Sequence, residues 1–122
     1  MAGDAMKVAG FGCRPDTPAE ALRDALTRTG AQDLAAIATI PARAVELTAL
    51  AQALDLPLRL TEVRGVTTPT RSERVQALHE TGSVAEAAAL SACGSDARII
   101  VTRVTSSCGR ATAAIAESEE TP

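Results

Sequence analysis

The chain has 122 residues, 46% of them hydrophobic and 22% charged, which is the composition of one ordinary globular domain. No apolar run approaches the ~20 residues of a membrane-spanning helix. A net charge of -3 and a single aromatic residue leave nucleic acid without counter-charge or a stacking platform.

Three cysteines without a C-x-x-C pair, and one histidine, argue against a structural zinc site or a disulfide framework, so no metal or cofactor is expected. The opening Met-Ala-Gly-Asp-Ala lacks the basic flank and apolar centre of a secretory signal, which makes the cytoplasm the expected location. Eleven of the twelve basic residues are arginine, a side chain suited to gripping carboxylates with two donors.

Met6 to Phe11 reads as a short buried strand ended by Gly10 and Gly12. Thr17-Pro18-Ala19-Glu20 has the form of a capping box with proline at the first helical position, so a helix is expected from Pro18 to a left-handed cap at Gly30. Leu34 to Ile40 is a second buried strand, stopped by Pro41, and Ala42 to Asp55 repeats apolar residues at helical spacing. Leu58 to Val63 alternates as a half-exposed strand does.

Gly65 to Ser72, rich in Thr and Pro, is expected to be irregular, with a short helix over Glu73 to His79. Ser83-Val84-Ala85-Glu86 is a second capping box, opening an alanine-rich helix closed by Gly94, whose small side chains permit close packing. Arg98 to Val104 and Arg110 to Ala116 read as the strands of a hairpin. Residues 1–5 and the acidic tail 117–122 are expected to fray.

This order predicts a single α/β domain with three α/β/α layers, a mostly parallel sheet and a C-terminal hairpin. Ligands of such sheets bind beyond the carboxyl ends of the strands, where Gly12-Cys13-Arg14, the Thr39 to Arg43 turn and the Thr105 to Gly109 turn should gather.

Gly10-x-Gly12 between strand and helix suggests a dinucleotide fingerprint, but the third glycine would fall at Pro15 and no acidic residue ends the second strand. Two readings remain: an anion site made by Arg14 and the helix start, or a tight turn. Cys13, near an arginine and a helix start, has the setting of an activated thiol but no histidine partner in sequence context. His79 reads as a surface or capping residue, and Arg43 with Glu46 as a solvated ion pair.

Four segments together, "VAGFGCR", "AAIATIPARAVE", "TGSVAEAAAL" and "GRATAAIA", resemble the CobE family and are similar to the C-terminal domain of CbiG, over nearly the whole chain. The family's motif falls on Gly10, Gly12, Cys13 and Arg14, on Thr39, Arg43 and Glu46, on Ser83, Glu86 and Ala87, and on Ala111 and Thr112. Arg103 stands where the family often has a basic residue, usually lysine. Leu47-Thr48 replaces a common Pro-Gly, and the loop before Gly82 is less regular than usual.

The resemblance implies a role in cobalamin biosynthesis. CbiG-type proteins open the δ-lactone of cobalt-precorrin-5A and release acetaldehyde, using a further N-terminal region that this sequence does not contain. CobE of the aerobic pathway has no firmly assigned reaction. The expected ligand is therefore a precorrin or other corrinoid, recognised through its carboxylates by Gly10, Gly12, Cys13, Arg14, Thr39, Arg43, Glu46, Ser83, Glu86, Arg103 and Thr112. Three roles follow from it: a binding or carrier protein, a hydrolase or isomerase with Glu46 or Glu86 as acid and base, and an accessory subunit of another cobalamin-pathway enzyme. Catalytic residues stay unassigned.

Overall fold

The computed structural model describes residues 6–79 and 81–118, so the sequence expectations for 1–5 and 119–122 lie outside the described residues. Strand β1 (Met6–Cys13) is followed by α1 (Ala19–Thr29), β2 (Ala36–Thr39), a 3-10 turn (Pro41–Arg43), α2 (Ala44–Leu54) and β3 (Leu58–Leu60). After an irregular stretch come α3 (Glu73–His79), α4 (Val84–Cys93), β4 (Arg98–Thr105) and β5 (Ala111–Ser118). Glu117 and Ser118, expected to fray, instead pair with Lys7 and Met6 at the end of β5, a correction that follows from β1 lying alongside.

The five strands form one mixed sheet in the order β3-β2-β1-β5-β4. β1, β2 and β3 run parallel, as the strand–helix–strand order requires, while the C-terminal hairpin adds β5 antiparallel to β1 and β4 antiparallel to β5. The hairpin's second strand thus lies inside the sheet, with Val8 opposite Ala116 and Gly12 opposite Thr112.

Successive residues of β1 serve opposite layers, because side chains alternate across a strand. Ala9 and Phe11 join Ile37 and Ile115 under Leu22, Leu26, Leu47 and Leu50 of α1 and α2. Val8 faces the other way, with Ala36, Ala38 and Ala116, under Val84, Ala87 and Ala88 of α4. Gly10 faces α4 as well: a Cβ there would lie 2.0 Å from the Ala85 carbonyl oxygen and 2.5 Å from the Ala89 nitrogen. The alanine-rich helix therefore rests its backbone directly on the strand, and Cys93 Sγ donates to the Met6 carbonyl at its far end (3.4 Å).

Helix ends follow the sequence only in part. Gly30 takes the left-handed cap (φ 73°), and Asp55 does the same for α2 (φ 56°). The first capping box does not form: the N-cap is Pro18, and Thr17 Oγ1 donates back to the Arg14 carbonyl at 2.7 Å. The second forms by half, since Ser83 Oγ accepts from Glu86 N (3.3 Å) while the Glu86 carboxyl group is engaged elsewhere. β3 stops at Leu60, short of the expected Val63, because Glu62 Oε1 accepts from Val63 N at 3.2 Å and turns the chain. Among the described residues no helix is long and apolar enough to cross a membrane.

Candidate functional site

The carboxyl ends of β1, β2 and β4 and the start of β5 reach one rim, where a cleft of about 370 Å³ opens. β1 contributes Gly12 and Cys13 and runs on into Arg14; the exit of β2 contributes Ile40 and Arg43. The hairpin contributes Arg103 and Thr105 on one strand, with Gly109, Arg110 and Thr112 returning along the other. Ser83 and Val84 bring the N-terminus of α4 to the same place, and Ser72, Val75 and His79 close the side formed by α3. Four arginines line this cleft and, among the described residues, no aspartate or glutamate does, in a chain whose net charge is -3.

The four guanidinium groups are not equivalent. Arg43 is already engaged: its Nε donates to the Cys13 carbonyl and one terminal nitrogen to the Ala42 carbonyl, both at 2.9 Å, which ties the end of β1 to the 3-10 turn. Arg110 reaches the Asp16 carbonyl at a long 3.4 Å. Arg14 is anchored through its backbone, whose N–H donates to the Arg110 carbonyl at 3.1 Å, but its guanidinium has no hydrogen bond or ion pair among the described residues. Arg103 is likewise held by its backbone alone, with its N–H on Glu86 Oε2 at 2.8 Å. Two unspent forks therefore face a cleft lined, among the described residues, by no carboxylate.

Burial pushes the half-buried Cys13 thiol above its ordinary pKa near 9.0, helped by the Glu46 charge; Arg43, the Thr17 hydroxyl and Arg110 pull weakly the other way. A protonated thiol lines a site but does not attack from it. Among the described residues no group of three or more His, Cys, Asp and Glu side chains is arranged to hold a metal ion.

Gly12, Cys13, Arg14, Arg43, Ser83, Arg103 and Thr112 meet in the cleft, as the sequence suggested, whereas Gly10, Thr39, Glu46 and Glu86 do not line it. Gly10 lies beneath α4. Thr39, fully buried, donates its hydroxyl to the Phe11 carbonyl at 2.9 Å and stitches β2 to β1. Glu46 forms no ion pair with Arg43; its Oε2 accepts from Asp16 N at 2.8 Å, which lowers its pKa and steadies a loop where Asp16 takes a positive φ of 63°. Glu86 is fully buried, accepting from Thr70 N, Thr70 Oγ1 and Arg103 N.

The helix start that meets the cleft is that of α4 and not that of α1, because Gly12 lets the first turn of α4 approach: a Cβ on Gly12 would be 3.4 Å from Val84 Cβ. Sequence reasoning missed Arg110, Val75 and His79 as lining residues. Arg110 was signalled by its place before β5, but only the pairing of Cys13 with Ala111 sets it beside Arg14.

Residues 7–116 match the family model described as cobalamin synthesis G C-terminus. The chain belongs to this family. The crystal structure of CobE, a protein from the cobalamin (vitamin B12) biosynthetic pathway, superposes with a TM-score of 0.81 at 25% identity, over 97% of each chain. The cobalamin biosynthesis protein chiG from Agrobacterium tumefaciens str. C58 is 30% identical, with a TM-score of 0.64, over 91% of this chain and 97% of its own. No curated protein matches the sequence significantly. For this member of the cobalamin synthesis family, the arginine cleft lies on a fold shared with both solved relatives.

Proposed function

We propose that the cleft binds a corrin-ring intermediate by its carboxylates and that the chain serves cobalamin biosynthesis as a binding or carrier protein. The observation that carries this reading is a lining with four arginines and, among the described residues, no aspartate or glutamate, in a chain that is acidic overall. A precorrin is a macrocycle fringed by acetate and propionate groups, and such a ligand needs forks for its edge and an apolar surface for its ring. Arg14 and Arg103 supply the forks, Ile40, Val75 and Val84 the apolar surface, and the first turn of α4 its free N–H groups. A carrier also needs a recipient, which would be another enzyme of the pathway. The hydrolase or isomerase alternative finds less support, because its acid–base candidates Glu46 and Glu86 do not line the cleft.

Titration with cobyrinic acid, a corrin polycarboxylate, tests the proposal; the ligand's visible absorbance is followed because the chain has no Trp or Tyr. Saturable binding is expected. A hydrogen-bonded charge contact is worth about 1.5–3 kcal/mol, and solvent screening reduces it at the exposed Arg14. Arg103→Ala should therefore weaken binding by roughly one to two decades and Arg14→Ala by about one. Arg23→Ala, on the exposed face of α1, should bind as the wild type does. Equal affinity across all three variants would sink the reading.

A further inference from the structure

In α4 one residue breaks an alanine series: Glu86, with no solvent exposure, stands among Ala85, Ala87, Ala88 and Ala89. A buried carboxyl group is costly unless its oxygens are satisfied, and packing alone would be served by an apolar residue. Here the oxygens are satisfied by donors from two distant segments. Oε1 accepts from Thr70 N at 2.9 Å and from Thr70 Oγ1 at 3.0 Å; Oε2 accepts from Arg103 N at 2.8 Å.

Both segments carry walls of the cleft. Thr70 stands two residues before Ser72, whose N–H donates to the Gly82 carbonyl at 2.7 Å, and the chain then enters α3, which supplies Val75 and His79. Arg103 lies where the ladder between β4 and β5 shifts register, between Val101 and Val104. A bulge takes a residue out of regular pairing and re-aims its side chain, and the freed N–H must find another acceptor. Glu86 Oε2 is that acceptor.

We propose that Glu86 is a positioning residue that fixes both walls through one carboxyl group, so that the placement of the Arg103 guanidinium depends on the 66–72 segment. This rests on the reading of the cleft as an anion site, but the coupling can be measured without ligand. Glutamine has the shape of glutamate but only one acceptor oxygen, and its amide would set N–H against N–H at either Thr70 or Arg103. Thr70→Val keeps the backbone bond and removes only the hydroxyl donor.

Amide hydrogen exchange on the unliganded protein is the decisive measurement. Glu86→Gln should speed exchange at the Arg103 and Thr70 amides by about tenfold or more, with β1 and α1 unchanged. Thr70→Val should speed exchange at Arg103 although, among the described residues, none of the Thr70 hydrogen bonds reaches β4. Cobyrinic acid titrations then separate the two ideas: if Glu86 acts in part through Arg103, Glu86→Gln costs less affinity in the Arg103→Ala background than in the wild type. Unchanged exchange at Arg103 in both variants, or additive losses of affinity, would overturn the proposal. Absence of binding to the wild type would reject the anion site, leaving the exchange data to decide the coupling.

Discussion

Cys13 and Cys108 sit at the same end of the molecule with opposite chemistry. Cys13 is half-buried and its thiol is pushed above 9.0 by desolvation. Exposed Cys108 is lowered below 9.0, first by its hydrogen bond with the Ser106 hydroxyl and then by the Arg110 backbone N–H. Iodoacetamide should therefore label Cys108 first, with a rate that inflects below the ordinary thiol pKa, and Cys13 late, inflecting above it. Peptide mass spectrometry across a pH series reads both. The raised Cys13 value also has a stability sign: the folded state keeps its proton longer than the unfolded chain, so this contribution is complete below 9.0 and is lost as pH rises through the folded value. At this scale the sequence identified Cys13 and Arg14 as neighbours of a strand end, because adjacency in the chain was enough. It gave no sign of the partners of Glu46 and Glu86, since Asp16, Thr70 and Arg103 lie 30, 16 and 17 residues away.

The seat of α4 on β1 explains the glycine pair better than any ligand does. Gly10→Ala would push a methyl into the Ala85 carbonyl oxygen and the Ala89 nitrogen, both backbone atoms that a rotamer change cannot move away. Overpacking of this severity should cost about 3 kcal/mol or more, seen as an early midpoint in urea. Gly30→Ala, whose Cβ meets nothing within 4 Å but whose φ is 73°, should cost only about 1 kcal/mol. Comparable losses at the two sites would contradict the close approach. The elements themselves were legible because their signals are local: periodicity for α1 and α2, Gly30 and Gly94 as stops, the Thr105 to Gly109 turn for the hairpin. The bulge in β4 and the failed cap at Thr17 were not, since each is decided by a partner outside the element.

Over the whole molecule, charge is distributed unevenly: the chain carries -3, yet the cleft gathers four arginines and, among the described residues, no carboxylate lines it. Attraction of a polyanion must then be short-ranged and confined to that rim, because the surrounding surface repels it. Raising ionic strength from about 0.02 M to about 0.3 M shortens the screening length several-fold and should weaken cobyrinic acid binding by about tenfold. Affinity indifferent to salt would mean that ring contacts dominate and the arginines do not. The three layers and the gathering of loops at the carboxyl ends were legible from the element order, whereas the insertion of β5 between β1 and β4 was not, since hairpin and crossover patterns leave the position of the last strand open.

That insertion also governs the order of assembly during synthesis. β1, α1, β2, α2 and β3 are made first and contain all the parallel pairing, yet one edge of β1 stays open until residues 111–118 arrive to pair from Cys13 back to Met6. Closing so long a loop is entropically slow, and an open strand edge invites the wrong partner meanwhile. Arg110 and Thr112 arrive with the same segment. A growing chain thus gains its last core strand and these two residues of the arginine cleft, contributed by the hairpin's return, in one event, so that a complete cleft marks a completed sheet.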